Sequence, residues 1–346
     1  SPTLNPRFRY QDQDSVHNIW FLDAVTFLNQ LTASRASQAG GIAIFRLGTE
    51  DPDIWPVLAL DPAKPLAPLD LAQLETLSPG DAMAHVGKGS LITIDDQRTD
   101  GLRRVIFDKH NLASARYEKF PTYLTLVHEG AGPQDAVAIT FDDGPDPEWT
   151  PALLDILKAE GVRATFFLIG ANMEENPELV QRIVREGHLI GVHTYTHPNI
   201  AEVSEERAKL ELNATQRLIE SITGQSTILF RPPYNADTNP HTIEELVPIG
   251  IAQRMGYLTV TMDIDPEDWA KPGVETMLER VRMGRRDGGS IVLLHDAGGD
   301  RTQTVEVLPE IIHYLRARGE TILPLSEILK VPAAQLMPPV PANQQP

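Results

Sequence analysis

The sequence contains no cysteine. That excludes disulfide frameworks, thiolate nucleophiles and cysteine-type zinc sites, and it leaves His and carboxylate as the strong metal ligands. Cations are scarce as well: 30 Lys and Arg stand against 48 Asp and Glu, a net charge of −18. Nucleic acid is disfavoured as a partner, because phosphate binding needs clustered Lys and Arg. A neutral or cationic polymer meets no such objection. No apolar run approaches the ~18 residues that span a bilayer, and the polar opening Ser1–Tyr10 has no apolar signal core. An initiating Met is lacking too. Either the protein is cytosolic or a native export signal lies outside this chain, and the missing Met favours a trimmed or excised chain.

What is present is ordinary for a globular protein: 41% hydrophobic and 23% charged residues over 346 positions. That length allows two domains, or one barrel-sized domain with an appended segment. From Ala136 onward, apolar runs of strand length alternate with helical patterns. The strands are expected at Ala136–Phe141, Ala164–Ile169, Leu189–Val192, Thr227–Phe230, Leu258–Met262, Ser290–Leu294 and Thr321–Leu323. Between the first two, Thr150 and Pro151 open a helix as N-cap and first-turn proline, and Gly161 closes it. Asn176 and Pro177 repeat the device, and Gly187 ends that helix. Ser204 caps a longer helix with Ala208, Leu212, Thr215, Ile219 and Ile222 along one face. Further helices are expected at about 242–254, 274–283 and 305–318. Seven strands alternating with helices predict parallel βα units closing as a barrel. A doubly wound sheet would require a Gly-rich phosphate turn after its first strand, and there is none.

Residues 1–132 read as a smaller, mixed α/β segment. Trp20–Leu31 has the spacing of an amphipathic helix, and Gly41–Leu47 that of a buried strand, followed by the polar EDPDIW. Asp61–Leu71 is Pro-rich and expected to be a connector. Short strands at Ser90–Ile94, Arg104–Phe107 and Tyr123–Val127 are expected to form a small β layer. The Pro- and Gln-rich tail, 331–346, is expected to be unstructured. The expected division is therefore 1–132, 133–330 and 331–346.

Five polar clusters each follow the C-terminal end of an expected strand: TFDDGP at 140–145, HTYTH at 193–197, RPPYN at 231–235, DPEDW at 265–269 and LLHD at 293–296. In a βα barrel all strand ends open on one face, where active sites are built. His193, His197 and one of Asp142 or Asp143 make a facial set of metal ligands with open positions. The other aspartate is then free to act as base on a water, and a protonated His295 can donate to a departing amine. Arg231 is a fixed cation able to hold the base ionised. Singly, each piece has a bland alternative: a surface His pair, an Asp-Gly-Pro turn, a structural Arg, a core Trp. Jointly, those alternatives must explain five coincidences in sequence order.

The segment from about Asp135 to Lys330 resembles a polysaccharide deacetylase of carbohydrate esterase family 4, the NodB homology domain, with all five family motifs in order. The resemblance implies a distorted (β/α)7–8 barrel and a hydrolase that removes N-acetyl groups from N-acetylglucosamine-containing glycans such as chitin oligomers, peptidoglycan or exopolysaccharide. It implies Asp142 as general base and Asp143, His193 and His197 as ligands of one divalent metal, commonly zinc, with cobalt, nickel or manganese as alternatives. It implies that Arg231 orients the base, that Asp265 tunes the general acid His295, and that the Tyr234 N–H helps to bind the oxyanion. It also implies that Pro232, Trp269 and Leu293 contact substrate or shape the acetyl pocket. Many members have Gly after RPPY, where Asn235 stands here. Asn tolerates left-handed backbone angles, so the turn is expected to survive.

The N-terminal part resembles the closing portion of a family 18 glycoside hydrolase barrel. The acidic signature D-x-x-D-x-D-x-E of such enzymes is absent, and no glycosidase activity is expected. A larger bacterial protein joining hydrolase, deacetylase and glycosyltransferase domains, acting outside the cytoplasm, is the expected native setting. The competing functions are a glycan-binding module without turnover and a glycoside hydrolase, which needs two carboxylates flanking a sugar bond.

Overall fold

The computed structural model describes residues 7–11, 15–20, 22–37, 43, 51–59, 68–110, 112–235, 240, 242–286, 288 and 290–341. They fall into two compact units, Ser1–Ala84 with Asp96–Leu124, and His85–Asp95 with Thr125–Pro346.

In the first unit, Arg7–Gln11 and Val16–Trp20 pair as an antiparallel ribbon. The helix expected from Trp20 begins later and runs Ala24–Ala36. Asp23 sets the start: its carboxylate accepts from the Thr26 N–H at 2.8 Å and from the Thr26 hydroxyl at 2.7 Å, as an N-cap does. Part of the polar EDPDIW stretch opens a second helix, Ile54–Ala59. The Gly41–Leu47 strand lies outside the described residues except for Ala43. The connector does so as far as residue 67, and Pro68–Glu75 beyond it is helical. A three-stranded antiparallel sheet, Thr76–Leu77, Gly101–Phe107 and Ala113–Lys119, completes the unit. On its middle strand Val105 faces a small core with Val25, Phe27, Leu28 and Ile54. Arg103, equally buried, is neutralised by Asp51 and by Asp53 at 3.1 Å.

The second unit is built on six parallel strands in the order Ile291–His295, Ala136–Asp142, Thr165–Leu168, Leu189–Val192, Leu229–Phe230 and Leu258–Val260. Thr321–Ile322 also pairs parallel with Ala136–Asp142. All seven expected strands are thus present. Every residue of Ala136–Asp142 is buried, as for a parallel strand covered on both faces. A single parallel bridge, Ile264↔Val292, joins the two ends of the six-strand run, so the barrel is distorted. The helices between strands include Trp149–Ala159, Pro177–Arg185, Glu205–Thr223, Val247–Arg254, Val274–Arg286 and Thr302–Ala317. Thr150 does not cap the first of these. Asp146 takes that role, accepting from the Glu148 and Trp149 N–H groups at 2.8 and 3.0 Å.

The expected small β layer is divided between the units. Leu91–Asp95 pairs antiparallel with Leu258–Val260, and Leu124–Glu129 pairs with Leu91–Asp95. Both extend the barrel sheet, whereas Gly101–Phe107 stays in the first unit. The compact units change over at 84/85, 95/96 and 124/125. Among the described residues of the tail, Ala333–Leu336 is helical, and the Ser226 and Ile228 N–H groups donate to the carbonyls of Pro338 and Leu336 at 2.9 Å each.

Candidate metal and acid–base site

The parallel strands deliver the polar clusters to one rim. Asp142 ends its strand and His295 ends the neighbouring one, and the two are register partners. His193 follows Leu189–Val192, and Arg231 follows Leu229–Phe230, which pairs with it at Val192↔Phe230.

Asp143, His193 and His197 offer ligand atoms that all lie within 4.8 Å of one another. Asp143 Oδ1 is 3.4 Å from His193 Nε2 and 3.2 Å from His197 Nε2. His193 Nδ1 donates to the Arg231 carbonyl at 2.7 Å, which places the lone pair on the Nε2 that faces the cluster. Such a fixed tautomer is what a metal-binding His requires. Burial alone would raise the Asp143 carboxyl, but the two imidazoles facing it more than reverse that and hold it well below the usual carboxylate range. One anionic oxygen and two imidazole nitrogens converging with open positions suit a divalent ion such as zinc.

The two adjacent aspartates diverge because Asp143 takes a left-handed conformation, φ 78°, which swings consecutive side chains apart. Asp142 is buried, and its Oδ1 accepts from Arg231 Nη1 at 2.8 Å. The Arg231 guanidinium also donates to Thr140 Oγ1 at 2.8 Å and to the carbonyls of Val260 and Thr261 at 3.3 and 3.1 Å, and it lies 4.2 Å over the Phe167 ring. Buried with its donors directed to four acceptors and a ring, it fixes Asp142. The other oxygen, Oδ2, is left 3.9 Å from His193 Nε2. The turn beyond is held by Asp296, which accepts from the Gly144 N–H at 3.0 Å and the Thr150 hydroxyl at 2.6 Å. A Cβ at Gly144 would stand 2.1 Å from that carboxylate, so only glycine fits. Burial, aided by the charges of Asp143 and Asp142, pushes Asp296 up to about 7.

The partner of His295 is Asp268, which corrects the expectation of Asp265. Asp268 Oδ1 accepts from His295 Nδ1 at 2.7 Å, and Oδ2 accepts from the His295 N–H at 2.9 Å and the Thr304 hydroxyl at 2.8 Å. Burial works against the imidazolium, but the hydrogen bond and charge of Asp268, with the charges of Asp142 and Asp143, push His295 up to about 9. Asp265 instead accepts from the Glu267 N–H at 2.7 Å, and burial raises its carboxyl. DPEDW holds three acids, Asp265, Glu267 and Asp268, and it is the last that pairs with His295. The available signal was adjacency to Trp269 in the turn Asp268–Ala270, whose first residue is fully buried. Asp296 was inside a noted cluster but was given no role.

Tyr234, not Asn235, adopts the left-handed conformation of the RPPYN turn, φ 65°. Its exposed ring lies 4.7 Å from that of His197. Pro232 and Leu293 are buried, and Trp269 is 55% exposed.

A family model described as polysaccharide deacetylase matches residues 129–256. The chain is 40% identical over 198 residues to a peptidoglycan-N-acetylglucosamine deacetylase of Bacillus cereus, covering 56% of this chain and 88% of that protein. It is 33% identical over 204 residues to a chitooligosaccharide deacetylase of Azorhizobium caulinodans, covering 56% and 93% respectively. Among solved structures, the chitin deacetylase of the fungal pathogen Colletotrichum lindemuthianum matches with a TM-score of 0.52 at 29% identity, covering 59% of this chain and 91% of that one.

Proposed function

We propose, because this chain belongs to the polysaccharide deacetylase family, that it hydrolyses N-acetyl groups of N-acetylglucosamine-containing glycans to free amine and acetate, using one divalent metal, zinc by choice of ligands. The observation that carries the reading is the pairing of a three-ligand cluster with two oriented proton-transfer groups, Asp142 fixed by Arg231 and His295 fixed by Asp268.

A cation held by Asp143, His193 and His197 supplies Lewis acidity toward a water and the acetamide carbonyl when bound. Asp142 accepts the proton of the attacking water through Oδ2, since Oδ1 is occupied by Arg231. The water oxygen then bonds to the carbonyl carbon, and the Tyr234 N–H is assigned to the oxyanion that develops. His295, held by Asp268 at Nδ1, gives its own Nε2 proton to the nitrogen as the C–N bond breaks, while the proton of the water stays on Asp142. Pro232, Trp269 and Leu293 are assigned to the sugar and acetyl contacts. Asp265 is reassigned to shaping the loop that carries Asp268.

No catalytic step is assigned to the first unit, because every residue of the set falls after Ala136. Among the described residues no helix is long and apolar enough to cross a membrane. Action outside the cytoplasm is supported by the peptidoglycan named for the Bacillus cereus relative.

The test is acetate release, with and without added divalent metals, on N-acetylglucosamine tetramer, peptidoglycan fragments and exopolysaccharide. Loss of one acetyl mass per event at unchanged chain length is expected. Chain shortening would identify a glycosidase, and binding of glycan without acetate release would identify a non-catalytic module.

A further inference from the structure

His193 and His197 are carried not by a helix but by an irregular turn. Thr194 and His197 both sit in the left-handed region, at φ 66° and 58°, a costly conformation for side chains with a Cβ. Something must hold the intervening backbone. The Thr194 hydroxyl accepts from the His197 N–H at 3.1 Å, which satisfies one donor. The remaining two point at a single side chain on the following helix, Glu205–Thr223.

That side chain is Glu211, which is 2% exposed. Its Oε2 accepts from the N–H groups of Tyr195 and Thr196 at 2.8 and 2.7 Å, and its Oε1 accepts from the Thr196 hydroxyl at 2.7 Å. Arg207, one turn earlier on the helix, donates to the same Oε1 at 2.8 Å through Nε and reaches the Thr196 hydroxyl oxygen at 3.2 Å. A buried carboxylate is expensive unless its lone pairs are filled, and here the donors come chiefly from the two residues midway between the histidines. Glu211 also occupies a position of the buried helix face, between Ala208 and Leu212, where an apolar residue would otherwise pack.

We propose that Glu211 is a positioning residue for the metal site: its carboxylate is the template on which the His193–His197 turn folds, and so it sets metal affinity without being a ligand. The proposal rests on the reading of Asp143, His193 and His197 as metal ligands. Outer partners of metal ligands typically contribute 10- to 100-fold in affinity. Glu211→Gln keeps size, and its one carbonyl oxygen can still accept from both turn N–H groups, but it loses the charge and presents an NH2 group to the Thr196 hydroxyl and the Arg207 guanidinium, which donate to the other oxygen in the wild type. Its zinc dissociation constant is expected to rise by about that factor.

The experiment titrates metal-free full chain with zinc against a chromogenic chelator, for wild type, Glu211→Gln and Glu211→Asp, beside thermal unfolding of the metal-free proteins. Visible absorption of the cobalt-loaded forms reports the ligand geometry. Weakened zinc binding and an altered cobalt spectrum in a folded Glu211→Gln protein support the proposal. Zinc affinity within twofold of wild type, with only the unfolding temperature lowered, overturns it and leaves Glu211 a purely structural carboxylate. If Glu211→Gln fails to fold, Glu211→Asp decides: the charge stays but the carboxylate retreats by one methylene, so affinity must still fall. A wild type that binds no zinc would defeat the metal reading itself, and is distinguished by that arm.

Discussion

Replacing Asp268 by Asn tests the acid side of the mechanism directly. Asp268 is buried and accepts three hydrogen bonds, two of them from His295. An amide cannot accept all three, and it removes the charge that opposes loss of the imidazolium proton. With Asp268 present His295 lies at about 9, against an ordinary 6.5. At ~1.36 kcal/mol per pH unit, that difference is roughly 3 kcal/mol in favour of the imidazolium. If the variant returns to 6.5, the protonated fraction at pH 8 falls roughly 30-fold, while at pH 6 it falls by less than a factor of about two. The ratio of wild-type to variant kcat/KM should therefore grow roughly 20-fold between pH 6 and pH 8, on top of any constant loss from a misoriented ring. The sign is fixed by the direction of the shift. A raised pKa means the acid form persists through neutrality and is lost as pH rises through about 9. The stability that the ion pair contributes is likewise complete below 6.5 and disappears through the same value. The assay is initial acetate release from N-acetylglucosamine tetramer across pH 5–10, with Asp265→Asn beside it. Parallel wild-type and Asp268→Asn profiles, or a displaced alkaline limb in Asp265→Asn instead, would refute the assignment.

Two further outcomes follow from the same geometry. Asp143→Asn should lose metal on elemental analysis, whereas Asp142→Asn should retain it and lose ~10²–10⁴ in acetate-release rate; the reverse pattern would exchange the two roles. His188 is buried against Phe166, accepts from the Ala164 N–H at 3.0 Å, and is lowered by burial to about 4. The unfolded chain therefore binds the extra proton between pH 6.5 and about 4, and stability falls by up to roughly 3 kcal/mol as pH drops through that window. His188→Asn, which can keep an acceptor for Ala164, should flatten this acid loss of thermal midpoint, and an unchanged slope would count against the burial argument.

The barrel was legible because its signals are local and repeated. Apolar runs such as Ala136–Phe141 can be buried on both faces only in a covered parallel sheet, and each is followed by a helix with its own stop signal. The five clusters were legible for the same reason, since a strand end followed by polar residues points to one rim. The first unit was less so: its short strands alternate weakly, and Leu91–Asp95 joined the barrel by antiparallel pairing with Leu258–Val260, a long-range choice that no local pattern encodes. Within the site, what the sequence could not decide was which of two like residues faces a given partner. Asp142 and Asp143 were separable only through family resemblance, because the left-handed turn at Asp143 that parts them is a backbone property. Asp265 is expected at the place that Asp268 takes because the turn Asp268–Ala270, flanked by left-handed Glu267 and Lys271, decides which carboxylate is carried inward to His295.

Glu211 marks a different limit. An acid on the buried face of an otherwise amphipathic helix contradicts the pattern around it: Ala208, Leu212, Thr215 and Ile219 all pack inward, and so does Glu211. Local rules correctly make such a residue improbable in a core, because an unpaired buried carboxylate is unstable. It persists because its partners come from a turn 15 and 16 residues earlier in the chain, at Thr196 and Tyr195. A conflict between helix pattern and residue type is thus itself a readable signal: it indicates that a non-local set of donors must exist. Here that set lies in the turn between His193 and His197, two of the three residues proposed to hold the metal.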